Sequence, residues 1–188
     1  MSADHVRVAH SRTHVDGMLP LDSAEHLAPC VAAYFGLPVS ALLITPVSVY
    51  GDGSGAILSF GTDPAGGPCQ QESGRADHVF VSVVSSDTEP RDHSLDAVRE
   101  EYDHPGVRIV PLDSPGWTYA YSAIVDAGSL FIGGAVTRFV KIDGAATLAV
   151  AFRGVNGPLD HAATRAVADD ILAAVGWSDD GRLSRPGM

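Results

Sequence analysis

The segment TRFVKIDGAATLAVAFRG, residues 137–154, alternates large apolar side chains with small or polar ones on either side of Asp143-Gly144. Asp-Gly between alternating runs is a strong hairpin signal, because a type I′ turn needs positive φ at both central residues. A turn at Asp143-Gly144 pairs Ile142 with Ala145, Phe139 with Leu148, and Thr137 with Val150. Phe139, Leu148, Val150 and Phe152 then share one face. Arg138, Val140, Thr147, Ala149, Ala151 and Arg153 share the other, with Arg138 across from Ala149. The coherence of the apolar face supports this register. Lys141, the only lysine of the chain, is nominally on the core side near the turn and is expected to snorkel past the rim. The hairpin's cations therefore divide. Arg138 and Arg153 share an Ala-floored face, where they meet solvent, a helix carboxylate such as Asp169, or a bound anion or acidic partner. A solvated outer face is the simplest of these readings.

Working outward, DHAATRAVADDIL follows the hairpin, and residues 159–175 form an amphipathic helix with Ala163, Val167, Ile171, Leu172 and Val175 along one stripe. Upstream, VRIVPLD, WTYAYSAIVDA and SLFIGGAVTRFVKID read as strands, the last with a bend or bulge at Gly133-Gly134. Ser94 caps a helix over 94–102 with apolar residues at 95, 98 and 102. ALLITPVSVY, AILSFGT and HVFVSVVSSD are earlier strands. A short helix over 24–35 carries a capping-box pair, Asp22 and Glu25. Pro29 fits there only in the first turn. The order α-βββ-α-ββββ-α, with strands following one another directly, predicts an α+β domain. Its largely antiparallel sheet has about seven strands, with helices packed on it. Residues 21–177 form that domain, between a loosely structured arm or edge segment (1–20) and a frayed tail (178–188).

Composition narrows the functional classes. A net charge of −11 opposes general nucleic-acid binding, which needs a basic stripe, and also opposes an anionic membrane surface. The opening residues are polar, with no secretory signal. No run reaches the about 18 apolar residues of a membrane helix, so a cytoplasmic location is expected. Cys30 and Cys69 are too few for a disulfide framework and read as reduced thiols.

Several patterns invite catalytic readings that their geometry resists. Five of the eight His follow Asp directly: Asp4-His5, Asp77-His78, Asp92-His93, Asp103-His104 and Asp160-His161. Neighbours on a strand or helix diverge, so these Asp residues read as caps and turns. His10 and His14, with Asp16, have metal-pair spacing only on a helix, and that arm lacks helical patterning. GDGSGA (51–56) matches a dinucleotide fingerprint in letters, yet a strand follows where a helix is required. No metal site and no cofactor are expected. Trp117, Tyr119 and Tyr121 alternate along one strand and read as core, as the lining of a pocket or as a partner surface.

Residues 78–175 resemble the PsbP-like fold, which includes the LpqN-like lipoproteins. The resemblance lies in strand HVFVSVV, helix SLDAVREEY, successive strands ending in FVKIDGAATLAVAF, and the closing helix DHAATRAVADDIL. It implies an antiparallel sheet between helices and a mostly non-enzymatic role in binding or assembly. No lipid-attachment cysteine stands near the start of this chain. The element order is also similar to acidic secretion chaperones. The expected function is therefore a non-catalytic protein-binding or chaperone-like module, with a protein partner or a second copy of itself. The alternative is a small-ligand-binding protein or enzyme, with a pocket between sheet and helices lined by Trp117, Tyr119, Tyr121 and Arg138. Arg153 belongs to the same candidate surface.

Overall fold

The computed structural model describes residues 7–8, 21–49, 55–62, 74, 76–85, 94–125, 134–143, 146–154 and 158–175. Its strands are β1 (Arg7–Val8), β2 (Leu42–Val49), β3 (Gly55–Thr62), β4 (His78–Ser85), β5 (Val107–Pro111), β6 (Tyr119–Val125), β7 (Gly134–Asp143) and β8 (Ala146–Gly154). Its helices are α1 (Leu21–Phe35), α2 (Leu95–Glu101) and α3 (His161–Ala174). The strands form one sheet in the order β1-β2-β3-β4-β8-β7-β6-β5. Seven of them are antiparallel to their neighbours, as the sequence predicts, and the two-residue β1 adds a parallel edge beside β2.

Connectivity explains why β8 is central. β2, β3 and β4 form a meander, α2 carries the chain to the far edge, and β5 to β8 meander back until β8 closes on β4. The two halves meet where Val79 stands across from Phe152 and Val81 across from Val150. All four are fully buried.

One face of the sheet carries α1 and α3. Leu27, Val31 and Phe35 of α1, and Val167, Ala168 and Ile171 of α3, bury against Phe60, Phe139, Leu148, Val150 and Phe152. Phe139 and Phe152 meet edge to face, with ring centroids 6.0 Å apart at 89°, the geometry favoured by the ring quadrupole. The α1 stripe recurs at Leu27, Val31 and Phe35, which is helical spacing. Pro29 is exposed on the opposite side. The helix therefore runs through Pro29 and starts at Leu21, earlier than the predicted 24. Pro29 lacks the N–H for one intrahelical bond, and its ring lies on the exposed side of the helix, away from the core.

α2 packs on the other face. Leu95, Val98 and Tyr102 sit over Ile109, Tyr119, Tyr121 and Ala123, the spacing read from the sequence. Ser94 Oγ accepts from the Ala97 N–H at 3.1 Å. Asp160 caps α3 by accepting from the N–H groups of Ala162 and Ala163 at 2.9 and 3.1 Å. Its place before His161 is thus that of a helix cap.

The hairpin register differs from the expected one. Asp143 pairs with Ala146, Ile142 with Thr147, Phe139 with Val150 and Arg138 with Ala151. The two connecting positions are therefore 144–145, a Gly-X pair, which is the other short hairpin signal. A slip of two residues keeps every side chain on its predicted face, because the strand period is two. The Gly133 bend, His10, His14, Cys69, residues 51–54 of the GDGSG turn (51–55) and the 178–188 tail lie outside the described residues.

Truncating Phe152 to Ala is expected to cost about 3–5 kcal/mol. Asp160→Ala is expected to cost about 1 kcal/mol. Urea denaturation followed by far-UV circular dichroism measures both.

Candidate functional site

The alternation that buries Leu148, Val150 and Phe152 places Ala149 and Ala151 on the opposite face of the central strand. Methyl side chains cannot fill the space above a sheet, and taller neighbours surround them. Phe80 and Ser82 rise from β4, Val136 and Arg138 from β7, Ile57 from β3, and Tyr121 from β6. Tyr102, at the C-terminal cap of α2, closes the helix side. The result is an open recess of about 260 Å³ on the face that carries α2.

Arg138 is its one cation. Tyr121 stands directly across from it on β6, and its phenolic oxygen favours the guanidinium charge. The Nε of Arg138 is buried and has no hydrogen-bond partner. Burial opposes the Arg138 charge, but the oxygens of Tyr121, Tyr102 and Tyr119 outweigh it and hold its pKa above the ordinary value. Burial pushes the Tyr119 and Tyr121 hydroxyls up, against the pull of Arg138. At neutral pH the site therefore combines a charged guanidinium with neutral phenols. Among the described residues no carboxylate pairs with Arg138.

The predicted aromatic row divides. Tyr119 and Tyr121 stack with ring centroids 6.3 Å apart on the recess side, although Tyr119 does not line the recess. Trp117 instead enters the helix-side core. It is 7 % exposed, packs on Phe139 at 5.6 Å, and donates from Nε1 to Asp169 Oδ1 of α3 at 2.7 Å. Trp117 precedes β6, in a turn where its N–H reaches the Ser114 carbonyl and Gly116 takes φ +92°. Strand alternation does not extend through that turn, so the spacing of 117, 119 and 121 does not set a common face. Asp169 thus serves Trp117 and Arg165, and stands on the far side of the sheet from Arg138 and Arg153.

Arg153 shares the recess face and is exposed, across from His78 on one side and Val136 on the other. Lys141 turns the other way, and its ammonium donates to the Gly116 carbonyl at 2.8 Å. One Asp-His neighbour pair does meet: His78 Nδ1 is 3.3 Å from Asp77 Oδ1. Asp77 precedes β4, so the alternation that separates strand neighbours does not apply to it. Burial works against the Asp77 charge, but the neighbouring His78, with help from Arg153, holds its pKa below the ordinary value.

Tyr102, Phe80 and Ser82 were not anticipated as site residues. Their signal was present in the small residues of the central strand, since two alternating Ala positions beside larger neighbours mark a hollow. Among the described residues no group of three or more His, Cys, Asp or Glu could hold a metal ion. No described helix is long and apolar enough to cross a membrane. No family model, curated protein or solved structure matches this chain.

The raised tyrosine pKa values predict an alkaline limb of stability. The unfolded chain releases its tyrosine protons near pH 10, while native Tyr119 and Tyr121 hold theirs to higher pH. Their contribution is complete below that point and is lost as pH rises through the folded values. Tyr121→Phe is expected to flatten this fall relative to the unaltered protein, measured by denaturant unfolding between about pH 9 and 11.

Proposed function

We propose that this protein binds a small organic anion with an apolar body, seated on Ala149 and Ala151 with its charged group at Arg138. The carrying observation is the buried Nε–H of Arg138, left without a partner beside an apolar recess. An unmet buried donor costs about 1–3 kcal/mol. A carboxylate or sulfonate accepting from the guanidinium forms a short, charge-assisted bond. The hydroxyls of Tyr102 and Tyr121 are further donors. The recess is somewhat smaller than the about 300–1,000 Å³ of drug-sized pockets, which supports a compact ligand. Its lining offers one cation, two phenols and a serine hydroxyl, a set suited to holding an anion.

The protein-binding, chaperone-like role competes for the same face, and half-buried Ile57, Phe80 and Val136 support it. The unmet donor of Arg138 favours the ligand. On the sequence resemblance alone we also propose a PsbP-like identity, and on the free thiol of Cys30 a reducing, cytoplasmic setting.

Titration with anilinonaphthalene sulfonate, which carries one anion on an aromatic body, tests the proposal. Fluorescence is expected to rise and saturate at one site per chain. Arg138→Met should weaken binding at least about tenfold, the loss of one charge-assisted bond. It should keep the fold, since replacing a buried charge by an apolar group is often neutral. Ala151→Leu should abolish binding by filling the recess while leaving Arg138 in place. Unchanged affinity in both folded variants overturns the ligand reading.

A further inference from the structure

Arg153 lies diagonally from Arg138 across the β7–β8 ladder, two positions beyond the Ala151 that faces Arg138. Diagonal neighbours on one face stand about 7–8 Å apart. The two guanidinium groups differ in setting, since Arg138 lines the recess and Arg153 is exposed beside it.

On the β4 side of Arg153, away from Arg138, stands His78, directly across from Arg153. Its ring stacks on Phe80 of the recess wall at 6.0 Å and 18°. Asp77 Oδ1 lies 3.3 Å from Nδ1 without making a hydrogen bond to it. Beneath the ring is Gly61, where a Cβ would come within 3.1 Å of His78 Cδ2. Glycine at that position lets the imidazole lie close to β3. The apolar wall thus runs from the recess through Phe80 and His78 to a second cation.

We infer that the recess is the inner half of a two-anchor site for an amphipathic dicarboxylate, with one carboxylate at Arg138, the apolar chain over Ala151 and Phe80, and the second carboxylate at Arg153. This rests on the ligand reading of the recess. Asp77 is the competing anion at the outer anchor, since Arg153 already helps to stabilise its charge. A second carboxylate without Arg153 would lose solvation with no cation to meet it, so the outer arginine sets the choice between mono- and diacids.

Calorimetric titration of the full chain with octanoate and with octanedioate separates the two levels of the argument. Octanedioate is expected to bind roughly three- to fivefold more tightly, the scale of one exposed charge pair. Arg153→Met should erase or invert that preference while leaving octanoate affinity unchanged. Gly61→Ala, which displaces the imidazole, should reduce the preference without touching Arg153. If octanoate binds and octanedioate is no tighter, or if the preference survives Arg153→Met, the two-anchor inference is wrong and the recess reading stands. If neither acid binds, both fall.

Discussion

Everything in this fold hangs on the closure of β8 against β4. That pairing joins two meanders that the chain makes separately, on either side of α2 in sequence. Phe152 and Val150 bring large side chains to the helix face of the junction. Tyr34, Phe139 and Val79 then gather around Phe152, either as ring contacts or across the ladder. A strand placed at the centre of a sheet must satisfy both faces at once, and β8 does so unequally.

That inequality creates the candidate site. The helix face of β8 is filled by α1 and α3, with ring–ring contacts and a Trp117–Asp169 hydrogen bond that ties the turn before β6 to α3. On the other face Ala149 and Ala151 set a low floor, while α2 covers the β5–β6 side through Leu95, Val98 and Tyr102. A hollow remains between α2 and β3, and the chain spends a charge there. Arg138 is half-buried beside the Tyr121, Tyr102 and Tyr119 side chains, and its Nε has no hydrogen-bond partner. Among the described residues no carboxylate pairs with it, and the proposed anion site rests on that combination.

The sequence made the element order and the facing of the central hairpin legible. Alternation at Phe139, Leu148, Val150 and Phe152 assigns faces regardless of small errors in register, and the observed slip of two residues left them unchanged. The turn itself was misread because Asp143-Gly144 and Gly144-Ala145 are both acceptable two-residue solutions, and only longer-range pairing chooses between them. Trp117 is core, as one reading of the aromatic row has it, but it does not share a face with Tyr119 and Tyr121. Periodicity holds within a strand, and nothing local showed that β6 begins at Tyr119. Asp77 and His78 were separated on paper by the same rule, applied one residue too early. Pro29 within α1 escaped because a helix tolerates proline where the lost bond faces water. Arg138 and its Ala floor were readable as a feature, but whether a hollow lay above them depended on where α2 packed.

Direct observation of the Arg138 Nε–H by nuclear magnetic resonance, assigned through Arg138→Lys, tests the central claim most closely. A buried and unserved Nε–H should exchange slowly with water, unlike that of the exposed Arg153, and its resonance should move as octanoate is added. An Arg138 signal that exchanges as fast as that of Arg153 and does not respond to the anion would contradict the account.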